Sequence, residues 1–190
     1  MISMLFRKDP VKKLLERISS LDLLLNPKIY FDGVAYFASD TALFIRELYL
    51  AVKNAFGSSP LLREIQHLAT LLGIPVHILY EEKYSYEAPS EQTVHLVNAI
   101  ACIVIGEEAC KAYLESIPAE DIPSAEDYRK AREIIGFMRG LLLKILEALP
   151  YVIKKPVRLE LHGDYEIKSR YIAMKKKKEY GNIYEIVQAV

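Results

Sequence analysis

AEDYRKAREIIGFMRGLLLKILEALP, residues 125–150, runs directly into YVIKKPVRLELH, residues 151–162, and the spacing of the apolar residues changes between them. In the first segment Tyr128, Ala131, Ile134, Ile135, Met138, Leu142, Ile145 and Leu149 recur every three or four residues, as one face of a helix requires. Ser124 and Asp127 form a capping box ahead of it, with Asp where Glu or Gln is usual. In the second segment Val157, Leu159 and Leu161 alternate with Arg158, Glu160 and His162, the period of a strand. Gly163-Asp164 reads as a turn that sends Tyr165, Ile167, Ser169 and Tyr171 back along it, with Leu161 opposite Tyr165. Gly181-Asn182 reads as another turn before a third strand, Ile183 to Val187.

Upstream of residue 125 the pattern is mostly helical. Val11, Leu14, Leu15 and Ile18 mark a helix from Pro10 to Leu24, broken by Asn26-Pro27. Residues 28–38 fit a strand or a helix. Asp40 caps a strongly apolar helix, Thr41 to Phe56, whose polar strip is Arg46, Glu47, Lys53 and Asn54 and which Gly57 stops. Ser59-Pro60 opens the next helix, which ends at Gly73, and Ile74 to Tyr80 reads as a short strand. Ser90 to Ile105 is helical, Gly106 breaks it before a segment from Glu107 to Glu115, and Pro118 and Pro123 bracket a linker. Gly136 and Gly140, four apart on one face, predict a close helix approach.

The fold class expected is therefore α+β, mainly α. Residues 1–150 form a helical core of four or five helices. Residues 151–190 form a basic β element packed on it, either a hairpin or a small antiparallel sheet. The alternative is α/β, with Ile29 to Phe37 and Ile74 to Tyr80 as parallel strands around the intervening helices.

At 190 residues and 52% apolar, the chain is expected to fold as one unit with a sizeable core. No uninterrupted apolar run reaches about 18 residues, so no membrane contact is expected, and Met1 to Pro10 does not read as a secretory signal. On one continuous helix Cys102 and Cys110 would stand about 12 Å apart, too far for a disulfide, which points to a reducing, cytoplasmic setting. Asn and Gln number seven in all, while Lys, Glu, Ile and Tyr are plentiful, a composition expected of a thermophile.

The formal net charge is zero, yet the signs are sorted. From Glu81 to Glu133 there are twelve acids and five bases; from Tyr151 to Tyr180 there are nine bases and four acids. The candidate nucleic-acid-binding residues are Arg158, Lys168, Arg170, Lys175, Lys176, Lys177 and Lys178, beside Lys154, Lys155 and the aromatics Tyr151, Tyr165, Tyr171 and Tyr180. Cations interleaved with aromatics suit a phosphate backbone and stacked bases. Lysines that guard a sheet edge against aggregation would leave the same pattern. Acidic and basic patches on two copies could also meet, which makes protein subunits or self-association a second class of partner.

Catalytic signatures are sparse. Arg63 and His67 share one helix face at i, i+4, loosely similar to the ribonuclease motif of HEPN domains, although that family spaces the two wider; a solvated face gives the same pattern. Cys102 as a nucleophile with His95 as base fails on distance, since seven helical residues separate them by about 10 Å. The four histidines, His67, His77, His95 and His162, fall in four separate elements with no zinc spacing, and no phosphate loop or dinucleotide fingerprint occurs. No cofactor is expected.

Tyr30-Phe31-Asp32-Gly33-Val34-Ala35, followed by Ser39 and a long apolar helix, resembles the N-terminal region of the small subunit of archaeal type I-A CRISPR effector complexes. Gly33 stands where that pattern has a basic residue. The resemblance implies a helical protein with a small β element, packing beside nucleic acid without catalysing a reaction. The expectation is thus a non-catalytic subunit or adaptor within a larger archaeal assembly. The alternatives are the HEPN-like ribonuclease and a protein–protein module that meets no nucleic acid.

Overall fold

The computed structural model describes residues 9–26, 32–179 and 181–190, with only the backbone of Asp32 and of residues 174–176. Seven helices are seen among the described residues: α1 (Pro10–Leu25), α2 (Asp32–Ser39), α3 (Thr41–Phe56), α4 (Pro60–Leu71), α5 (Glu91–Ile105), α6 (Glu107–Ser116) and α7 (Ala125–Ala148). Three strands follow, β1 (Val157–Leu161), β2 (Ile172–Lys178) and β3 (Gly181–Ile186). The chain is α+β and mainly α.

Each of the five longer helices starts on an Asp or Ser side chain that accepts a first-turn amide: Asp9, Asp40, Ser59, Ser90 and Ser124. The Ser124–Asp127 capping box forms in full. These helices bury their apolar stripes against one another, α5 on α7, α1 on α3, and α4 on both α3 and α7. One continuous core runs from Leu14 and Ile18 through Ile45, Leu68 and Met138 to Leu161 and Ile186.

Five local expectations are corrected. The segment after Gly73 is no strand: Val76–Tyr80 is a 3₁₀ turn, and residues 32–39 are helical, which removes both strands of the α/β alternative. Residues 28–31, the rest of that second segment and the start of the family-like stretch, lie outside the described residues, as do 1–8. Gly136 and Gly140 meet no neighbour within 4 Å of a Cβ position, so they mediate no close approach. Gly33 does: a Cβ there would sit 2.6 Å from the Leu24 amide nitrogen, because α2 lies against the backbone of α1.

The sheet is antiparallel in the order β1-β3-β2, so β1 and the segment 165–171 form no hairpin. Gly181 and Asn182 belong to β3 and are not a turn. A buried carboxylate explains the departure. Asp22, fully buried on α1, accepts hydrogen bonds from the amides of His162 (2.7 Å) and Gly163 (3.1 Å) and from the Tyr165 hydroxyl (2.7 Å). These bonds draw the chain after β1 onto α1, and β3 takes the vacant edge.

The fifth correction concerns the cysteines. Gly106 turns the chain at φ 94° between α5 and α6, bringing Cys102 and Cys110 to a Cα separation of 4.6 Å in a disulfide. The expectation of two distant thiols assumed one continuous helix, and the left-handed glycine ends it. Among the described residues no helix is long and apolar enough to cross a membrane.

Candidate nucleic-acid interface

The structure divides the predicted basic residues into two groups. The first gathers where α7 ends. A 3₁₀ turn, Leu149–Tyr151, leaves Tyr151 71% exposed. Tyr171 arrives from the other direction, just before β2. Its amide donates to the Ser169 hydroxyl (3.2 Å), and its carbonyl accepts from the Val187 amide beyond β3 (3.0 Å). The Ala189 amide donates to the Pro150 carbonyl (2.8 Å), tying the chain after β3 to the end of α7.

So positioned, the Tyr151 and Tyr171 rings meet edge to face with centroids 6.1 Å apart. The Arg170 guanidinium lies 4.9 Å from the Tyr171 centroid and donates to its hydroxyl (2.7 Å). Lys168 joins them in lining an open groove of about 340 Å³, with Glu147 as its one acid among the described residues. Two aromatic faces and two cations on one groove can stack bases and hold phosphates.

The second group sits on the sheet and is largely answered by acids. Lys177 lies 3.9 Å from Asp164 and Lys178 lies 3.7 Å from Glu160. Arg158 faces Glu185 across the β1–β3 ladder. A bulge at Lys175 shifts the β2–β3 register, and the side chains of Lys175 and Lys176, like all of Tyr180, lie outside the described residues. Of the predicted residues with described side chains, Lys168 and Arg170 line one groove, while Arg158, Lys177 and Lys178 belong to a mixed-charge sheet.

The remaining candidates have other occupations. Arg63 is exposed on α4, and His67 rests edge-on against Phe137 of α7 at 5.3 Å. The His95 imidazole meets the Glu120 carbonyl (2.7 Å). The Asn98 amide donates to the Asp121 carbonyl (3.1 Å) and accepts from the Tyr113 hydroxyl (2.6 Å). With Cys102 in the disulfide, this polar stripe of α5 fastens α6 and the following linker. Among the described residues no group of three or more His, Cys, Asp or Glu side chains could hold a metal ion.

Two clusters escaped the sequence reading. Asp22 also accepts from Asn26 Nδ2 (3.1 Å) and lies 3.2 Å from His162 Nδ1. Burial first, then the Asp22 carboxylate, pushes the Tyr165 hydroxyl far above the ordinary phenol range. A carboxylate beside an imidazole can orient a general base, yet this one is spent on two amides and a phenol, so it works as a tether. The only cue in the sequence is a single acid inside the apolar run Leu21–Leu25. The other cluster is Arg46, expected on a polar strip but 6% exposed, donating to the carbonyls of Ile78 (2.9 Å), Glu81 (2.5 Å) and Glu82 (3.2 Å).

No family model, curated protein or solved structure matches this chain.

Proposed function

We propose that this protein is a non-catalytic subunit or adaptor that works by surface contact and engages single-stranded nucleic acid within a larger archaeal, cytoplasmic assembly. The observation that carries the reading is the groove of Tyr151, Tyr171, Arg170 and Lys168. Stacking on exposed aromatic rings is tolerant of sequence, and adjacent cations neutralise the backbone. The lysines of β2 add a diffuse attraction, reduced by Asp164 and Glu160. A disulfide fits an intracellular protein of a hyperthermophile, the setting to which the scarcity of Asn and Gln also points.

Fluorescence anisotropy with short homopolymeric RNA and DNA at two salt concentrations tests the reading. Replacing both Tyr151 and Tyr171 by Ala is expected to weaken binding at least about tenfold at either salt. Lys168→Gln with Arg170→Gln is expected to lower the salt slope by about 1.4, the single-strand value for two lost phosphate contacts. Unchanged affinity in the tyrosine variant, at unchanged thermal stability, would remove the proposal.

A further inference from the structure

A cleft of about 240 Å³ shares no lining residue with the basic groove. It lies where the α2–α3 junction, the Gly73–Pro75 bend and the start of α5 converge. Its walls are apolar, from Ile74, Pro75, Ile78, Val94 and Val97, and the Tyr86 ring stands exposed at its mouth. One side is residues 86–89, the end of a segment from Glu81 to Pro89 that has no regular structure of its own. Arg46 holds that segment by the Glu81 and Glu82 carbonyls, and the Tyr84 hydroxyl anchors it on Asp40 Oδ1 (2.6 Å).

The polar groups of the lining are unevenly committed. The hydroxyls of Ser39, Thr41 and Thr93 donate to the carbonyls of Tyr36, Phe37 and Leu72. The Ser90 hydroxyl is bonded to Thr93, and both ends of the Asn98 amide are engaged. The side-chain donors are thus spent inward. Asp40 takes the Leu43 amide and the Tyr84 hydroxyl on Oδ1 alone, which leaves Oδ2 as an acceptor, and Glu87 adds a second carboxylate. Among the described residues no Lys, Arg or His lines the cleft. The first-turn amides of α3 carry partial positive charge, but the carboxylate of Asp40 already answers it.

We propose that this cleft binds a small apolar molecule bearing one protonated amine, its ammonium on Asp40 Oδ2 and its hydrocarbon between Ile74, Ile78, Val94 and Val97. An anion of the same shape would meet two carboxylates and be refused. A neutral alcohol would keep the apolar contacts but lose the charge-assisted bond.

The test is an NMR titration of the full chain with hexylamine, hexanol and hexanoate in parallel. Hexylamine is expected to shift the amides around Asp40, Ile74 and Val94, hexanol to bind about tenfold more weakly, and hexanoate to leave them unmoved. Asp40→Asn keeps a competent helix cap and should bring hexylamine down to the affinity of hexanol. Glu87→Gln, at an exposed site that carries no fold, should cause a smaller loss. Equal binding of hexanoate, an unaltered hexylamine affinity in Asp40→Asn, shifts scattered over surface carboxylates, or no shift with any probe would each overturn the proposal.

Discussion

At the scale of single residues, Arg46 and Asp22 are each a charged group that the core accepts because several partners converge on it. A buried guanidinium is tolerable when its fork of donors is filled, and three main-chain carbonyls fill it here. Arg46→Met would bury the same stem yet leave those carbonyls without a donor. The expected loss is about 3 kcal/mol of unfolding free energy, read from chemical denaturation. Arg46→Lys should recover only part of it, since one ammonium cannot span the three acceptors. Asp22 leaves one trace in the sequence, as the acid inside the apolar run Leu21–Leu25, and Arg46 leaves none. Arg46 shares a helical strip with Glu47, Lys53 and Asn54, and helical spacing alone assigns all four to solvent. What buries it is the path of residues 78–82, over thirty positions away, which local periodicity does not contain.

At the scale of elements, α6 is the most weakly seated helix described. None of its residues is fully buried. Its attachments to α5 are the Cys102–Cys110 disulfide and the Tyr113–Asn98 hydrogen bond. Reduction is expected to lower stability by about 2 kcal/mol on the loop-entropy scale. Amide exchange in residues 107–116 should accelerate well before that of α5 or α7. Hydrogen exchange of oxidised and reduced protein checks this; equal protection in both would show that packing alone holds α6. The helices themselves were legible: caps at Asp40, Ser59 and Ser124 and stops at Gly57 and Gly106 stand where the sequence places them. The strands were only half legible. Alternation locates β1, but the pairing partner depends on Asp22 capturing the following turn, a contact between residues about 140 positions apart. The site shares that fate. Cations and tyrosines were evident as a composition, whereas the separation of Lys168 and Arg170 from Lys177 and Lys178 required the sheet order.

At the scale of the whole molecule, phenols dominate the expected response to pH. Burial, then the Glu47 carboxylate that accepts its hydroxyl at 2.8 Å, pushes Tyr36 up to about 12. Burial and Asp40 raise Tyr84 further, and burial and Asp22 raise Tyr165 further still. In the unfolded chain these groups ionise near pH 10. Above that pH the folded state holds more protons than the unfolded one, so stability falls as pH rises. Thermal unfolding followed from about pH 9 to 11 should show this decline, and Tyr165→Phe should shallow it. A decline equally steep in that variant would show that Tyr165 is not its source.

The central position of β3 has a bearing on biogenesis. Both outer strands hydrogen-bond only to it within the sheet. On the ribosome, β1 and β2 would emerge with unsatisfied edges and wait for residues 181–186 to clear the exit tunnel. A stop codon in that short interval would strand two exposed ribbons at once, the kind of product that chaperones and proteases intercept.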